Sequence, residues 1–300
     1  MYNKMLVLLD GSKLAEVVFT YAQELSARLN LTLELLHVCS SQEAEQLPMR
    51  QAYIDHMAEI LQSKAAEIRS KIGDSTQGKT IQAKGTVVVG YPAEEILKYA
   101  DENGIDLIML STHGRSGIRI WDLGNVADKV IHASKVPIWL VPSELREAVI
   151  WDKLPKRTIV IPLDDSKRSE TAIPHAISIA KQRGAEAEIV LLHLEKSTLS
   201  EMATSQTQLK QVQDARLSVK KYLDDQVQQI SKEGITARAE ILIGNPVTGF
   251  IDFLKNNPPQ LVVMAAHGYT GIRGMIFDDV TEQIVRLVKK TPILIAKPLG

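Results

Sequence analysis

The 300-residue chain has one cysteine, Cys39, and few aromatic side chains. One cysteine excludes an intrachain disulfide and any cysteine-based zinc site. Cys39 ends the apolar run LELLHVC, so a small buried hydrophobe at a strand end is the expected role. No window approaches the roughly 18 apolar residues of a membrane-spanning helix. The N-terminal run MLVLL meets an aspartate at once, which does not fit a secretory signal. A cytoplasmic protein is the default expectation.

A surplus of either charge is also missing. The formal net charge is −1; residues 1–142 carry 14 Lys and Arg against 17 Asp and Glu, and residues 143–300 carry 21 against 19. Neither half has the basic footprint of a nucleic-acid binder, and no polybasic cluster addresses a membrane surface. Several catalytic signatures are absent too: no G-x-S-x-G and no His-x-x-x-His pair; the one G-x-x-x-x-G-K-[ST] match, Gly73–Thr80, follows a predicted helix and precedes a predicted strand, the reverse of the strand–loop–helix order a phosphate loop needs. Efficient NTP turnover needs a lysine on the phosphates and a residue that places water. Retention of a ligand, or slow hydrolysis at most, fits better.

What is present is a repeat. Asp10-Gly11-Ser12 returns as Asp164-Asp165-Ser166, and Leu36-His37-Val38 as Leu192-His193-Leu194. Gly90-Tyr91-Pro92 returns as Gly244-Asn245-Pro246, and His113-Gly114 as His267-Gly268. Gly117-Ile118-Arg119 returns as Gly271-Ile272-Arg273, and Pro137-Ile138 as Pro292-Ile293. The offset stays at 154–156 residues throughout. So long a period means two globular copies rather than a solenoid. The copies span 1–142 and 157–300, joined by a linker over 143–156 that holds charges and Pro155. It is not rich in glycine or serine, so a short packed connection is expected.

Each copy reads as five strands alternating with four helices. In copy one the strands fall at 5–9, 31–38, 86–89, 107–110 and 137–141, with helices at 13–29, 46–72, 92–102 and 125–133. Copy two repeats this, with strands at 158–163, 186–194, 237–243, 261–265 and 292–296 and helices at 168–183, 206–233, 246–255 and 279–289. Ser12 and Ser166 stand near the starts of the first helices, as N-capping residues do. Pro92 and Pro246 suit first helical turns, where a missing N–H is not needed. The α/β alternation predicts a Rossmann-like, five-stranded parallel sheet in each copy, with helices on both faces. Strands such as LIML and TIVI are apolar throughout, as strands covered on both faces must be. Ligands of such sheets bind beyond the carboxyl ends of the strands, at the switch in strand order. Asp10, Val38-Cys39 and Ser111–Gly114 lie there.

After its fourth strand copy one reads Ser111-Thr-His-Gly114, nine residues, then Gly124-Asn125-Val126. Glycine lets backbone N–H groups approach phosphate oxygens, and the following helix N-terminus favours an anion. Asn125 is uncharged there and has a side-chain amide to donate. These residues, with the phrase GYPAEEILKYADENGIDLIMLSTHGRSG, resemble the universal stress protein family. Nucleotide-binding copies of that family carry G-x-x-G, nine residues, then G-[S/T]. The resemblance covers nearly the whole chain, twice.

The resemblance implies an adenine-nucleotide site (ATP, ADP or AMP) in copy one. Asp10 would meet the ribose or the base edge, or help hold a metal such as magnesium. Val38 and Leu110 would form the adenine slot. Gly114, Gly124, Asn125 and Val126 would line the phosphates, with Arg115 as a phosphate partner. Ser111 stands where the family has its first glycine, and Leu8 where it often has proline. Copy two keeps Pro162, Asp164, Leu194, Met264 and Gly268, but Asp278-Asp279 replaces Gly-[S/T]. Two carboxylates satisfy the helix dipole internally and repel a polyphosphate. Weak or no ATP binding is expected there. Asp164 with Asp278 and Asp279 is a magnesium-binding alternative to N-capping by one of the pair.

The resemblance further implies a stress-response role and a built-in pseudo-dimer whose fifth strands meet, with homodimerisation and a regulatory protein partner as further expectations. A slow ATPase and a nucleotide-free, chaperone-like scaffold stay open as other classes. His37 and His193 are expected to bond loop backbone, and His113 and His267 to hold the glycine loops. His56, His132 and His175 read as surface or packing residues. Met49, Tyr53 and Met57, at i, i+4 and i+8, predict the buried face of the second helix. Trp121 and Trp151 are expected to pack between the copies.

Overall fold

The computed structural model describes residues 1–72, 80–113, 123–142, 157–164, 166–184, 186–195, 206–266 and 279–297. These fall into two compact units, one ending at residue 142 and the other starting at 157. The linker and both tryptophans Trp121 and Trp151 lie outside the described residues.

Unit one holds strands β1 (Lys4–Leu8), β2 (Thr32–Cys39), β3 (Ala83–Val89), β4 (Leu107–Ser111) and β5 (Ile138–Val141). Its helices are α1 (Val18–Leu29), α2 (Leu47–Ile72), α3 (Pro92–Glu102) and α4 (Asn125–Ala133). The strands are parallel in the order β3-β2-β1-β4-β5. Strand order therefore reverses between β1 and β4, and their carboxyl ends open a crevice there. Residues of β1, β4 and β5 are almost wholly buried, which explains their unbroken apolar sequence.

Unit two repeats the plan. Its strands β6 (Arg157–Leu163), β7 (Ala187–Glu195), β8 (Thr236–Ile243), β9 (Leu261–Ala265) and β10 (Ile293–Ala296) are parallel in the order β8-β7-β6-β9-β10. Its helices are α5 (Ala172–Arg183), α6 (Gln206–Lys232), α7 (Pro246–Asn256) and α8 (Asp279–Leu287).

Local chemistry sets the helix ends. Pro92 and Pro246 occupy first turns as predicted, and the Asn245 side chain accepts from the N–H groups of Val247 and Thr248. Asn30 ends α1 in the left-handed conformation, φ 56°. Arg69 of α2 reaches across to the Ser26 and Ala27 carbonyls and the Asn30 side chain, satisfying acceptors that every helix end leaves open. Gly85 lets α2 lie against β3: a Cβ there would come within 2.9 Å of the Ile54 backbone carbon.

Two expectations are corrected. The first helix begins at Val18, not Lys13, because Gly11–Val17 form consecutive turns. Ser12 caps the first of these, its Oγ accepting from Ala15 N–H at 3.2 Å. Unit two does the same with a short 3-10 turn, Ser169–Thr171, before α5. The Met49–Tyr53–Met57 stripe is not the buried face of α2. That face is Ile54, Ala58, Leu61, Ala65 and Ile68, and Met49 is 60% exposed.

Candidate functional site

The crevice at the β1/β4 switch is a cavity of about 410 Å³. Leu8, Asp10, Val38, Leu110, Ser111, Gly124, Asn125 and Val126 all line it. Gly114 and Arg115 lie outside the described residues. The strand ends supply an apolar wall, and Pro92 and Ile96 of α3 complete it. Two acids, Asp10 and Glu43, lie in the wall at the β1 and β2 ends. The N-terminus of α4 borders the other side.

That helix start is distinctive. Gly124 is its N-cap and provides no side-chain cap. Its N–H donates to the Thr112 carbonyl at 3.0 Å, tying the helix entry to the end of β4. Its backbone is ordinary, φ −58° and ψ 142°. A Cβ on residue 124 would meet only the Thr112 carbonyl oxygen, at 3.4 Å, an ordinary contact. Neither backbone strain nor packing within the described residues requires glycine here. The first residues of α4, Asn125, Val126 and Ala127, line the cavity at the positive end of the helix dipole.

The histidines act as scaffolding. His37 Nδ1 bonds the Leu9 carbonyl at 2.9 Å, and His193 Nδ1 bonds the Leu163 carbonyl at 3.0 Å. The same bond in both units fixes the turn just after β1 or β6, as the sequence predicts. His113 Nδ1 pairs with Thr112 Oγ1 at 3.0 Å, within its own loop. His267 lies outside the described residues. His175 is fully buried, its Nε2 on the Lys297 carbonyl, and burial pushes its pKa down.

Other lining residues escaped sequence reasoning. Glu43 follows β2 in a 3-10 turn, Ser41–Gln46. Its Oε2 accepts from Ser40 N–H and Oγ at 3.2 and 3.1 Å. The S-x-x-E pattern of a capping box was its one local signal. Ile96 sits one turn after Pro92 on α3, a spacing that puts both on one helix face.

In unit two, Asp164 Oδ1 accepts from Ser166 N–H and Oγ at 3.1 and 2.6 Å. Burial, the largest influence, raises the Asp164 pKa, but the hydrogen bonds from Ser166 and Ser169 outweigh it and leave the pKa lowered. Pro162 and Leu194 are partly buried, and Met264 is buried. Gly268 and Asp278 lie outside the described residues; Asp279 is the first residue of α8. Where β2 ends in Cys39, β7 ends in Glu195, and Arg216 of α6 donates to both of its carboxylate oxygens at 3.0 Å. The two strand-end sites therefore differ in charge beyond the glycine loop. Among the described residues no three His, Cys, Asp or Glu side chains converge as a metal site. No described helix is long and apolar enough to cross a membrane.

Fold and cavity together define a duplicated, parallel α/β protein with an open crevice at a strand switch point. The sequence profile of the Universal stress protein family matches residues 1–142 and again 156–297. The chain belongs to that family, in two tandem copies. Universal stress protein YxiE of Bacillus subtilis is 30% identical over 147 residues, covering 47% of this chain and 99% of its own length. Universal stress protein Rv2005c of Mycobacterium tuberculosis is 22% identical over 299 residues, covering 96% of this chain and 95% of its own. The crystal structure of a universal stress protein from Archaeoglobus fulgidus superposes with a TM-score of 0.66 at 20% identity, covering 99% of each chain. At that identity the likeness shows the fold.

Proposed function

We propose that unit one binds an adenine nucleotide in the β1/β4 cavity and that occupancy serves a regulatory or protective stress role. The observation that carries this is Gly124. The packing of the described residues leaves room for a side chain there, and its backbone needs no glycine. Close approach of a ligand to the uncapped N–H groups of α4 supplies the missing reason. The apolar wall of Val38, Leu110 and Ile96 suits a flat base. Asp10 and Glu43 suit the donors of ribose or of an exocyclic amine. A phosphate would lie against Gly124, Asn125 and Val126, with Arg115 and Gly114 supplied by the adjoining loop.

Magnesium, where present, would arrive with the phosphates and meet Asp10. Unit two is the lesser site: its sequence carries Asp278-Asp279 where unit one has Gly124-Asn125, and two carboxylates would repel a polyphosphate. The output would be read by a protein partner or through self-association, with little or no turnover. Thermal melting with millimolar ATP, ADP, AMP and cAMP, each with and without Mg²⁺, tests the reading. A ligand at 100 times its Kd stabilises by about 2.7 kcal/mol. A shift in the wild type that Gly124→Asp abolishes supports unit one as the site. No shift with any nucleotide contradicts it.

A further inference from the structure

The β1–α1 segment supplies Asp10 and Ala15 to the cavity, yet it has no regular structure of its own. Gly11–Val17 form bends and short turns. Among the described residues one long-range side-chain bond pins them: Tyr53 of α2 donates its hydroxyl to Glu16 Oε1 at 2.8 Å. From there hydrogen bonds run to the cavity wall. Glu16 N–H donates to the Ser12 carbonyl at 3.2 Å, and Ser12 N–H donates to Asp10 Oδ1 at 2.9 Å. Asp10 and Tyr53 are thus the two ends of one chain through Ser12 and Glu16.

The same stretch of α2 braces the other acidic wall. Arg50 lies one turn before Tyr53, and its guanidinium approaches Glu43 Oε1 at 3.6 Å while donating to Gln46 Oε1 at 3.1 Å. Residues three apart share a helix face. The pKa of Tyr53 responds to both sides of this arrangement. Burial raises it most, followed by the Glu16 hydrogen bond, the Glu16 charge and the Asp10 charge, while Arg50 lowers it.

We infer that Tyr53 is a positioning residue for the cavity, setting the Asp10 carboxylate through Glu16 and Ser12. The inference rests on the nucleotide reading of the cavity and adds to it a residue that does not touch the ligand. A binding wall built from turns is pre-organised only if something outside it fixes it, and affinity falls when that support goes. Removing one such hydrogen bond weakens binding by roughly three- to tenfold.

The test is a double-mutant cycle in AMP affinity, read by calorimetry on the full chain, with apo melting temperatures as a fold control. Tyr53→Phe is expected to weaken AMP by about fivefold with little change in melting. Glu16→Ala should match it, and Glu16→Gln, which still accepts from the hydroxyl, should stay near wild type. In an Asp10→Ala background, which removes the acceptor of the Ser12 N–H, the Tyr53→Phe effect should shrink below about twofold, because the two residues act in series. A Tyr53→Phe effect of equal size in both backgrounds, or none in the wild type, overturns the positioning role while leaving the nucleotide site standing. A wild type that binds neither AMP, ATP nor adenosine overturns the cavity reading itself, and the positioning role with it.

Discussion

Gly124 donates its N–H to the Thr112 carbonyl at 3.0 Å, and a Cβ on residue 124 would rest 3.4 Å from that same oxygen. Among the described residues the position is therefore open to a side chain. On the proposed reading, the glycine serves whatever approaches the helix start.

This separates stability from binding. Gly124→Ala should fold normally, within about 1 kcal/mol of wild type, and weaken nucleotide binding. Gly124→Asp should keep or raise stability by roughly 0.5–1 kcal/mol, since it adds a capping carboxylate at the positive end of α4, and abolish binding. Denaturant melts beside a nucleotide titration check both halves. A Gly124→Asp variant that melts early would mean the glycine serves the fold after all.

Gly85 is the opposite case. Its missing Cβ is what lets Ile54 and α2 close on β3. Gly85→Ala should destabilise unit one by about 1–3 kcal/mol through overpacking, seen as a lower urea midpoint.

A third prediction concerns Lys297, which follows β10 and is 2% exposed. Burial lowers its pKa from 10.5 to about 7. The folded state therefore binds fewer protons than the unfolded state between pH 7 and 10.5, so stability should rise with pH across that window. Lys297→Met should stabilise unit two by about 1–3 kcal/mol at pH 7, with the gain shrinking toward pH 10. Urea melts of both proteins at pH 7 and pH 9.5 test this. A gain that grows with pH would reverse the assignment.

Arg69 supports the end of α1 from 39 residues away. Arg69→Ala leaves the Ser26 and Ala27 carbonyls without that donor and should cost about 1–2 kcal/mol. Amide exchange should quicken first in the last turn of α1. Uniform exchange across unit one would argue against a local cap.

Much of this was legible in the sequence. Apolar runs bounded by Asp10, Gly90 and Ser111 locate strands, because strands covered on both faces admit few polar residues. Strand-end residues such as Asp10, Val38 and Leu110 must come together in any doubly wound sheet, whatever the side-chain detail. The face of α2 was not legible, because methionine is apolar wherever it points. Ile54, Ala58 and Leu61 are the buried set for a tertiary reason, the close approach at Gly85. Nor did local spacing reveal the Tyr53–Glu16 bond. It joins residues 37 apart, and neither residue belongs to a motif. The late start of α1 was missed because Ser12 is a good capping residue, and it caps a turn instead.

The most direct test of the central claim is calorimetric titration of ATP and AMP into the full chain and into Gly124→Asp. The account predicts one site per chain in the wild type, with none measurable in the variant. Binding that survives Gly124→Asp unchanged, or no binding in the wild type, would contradict it.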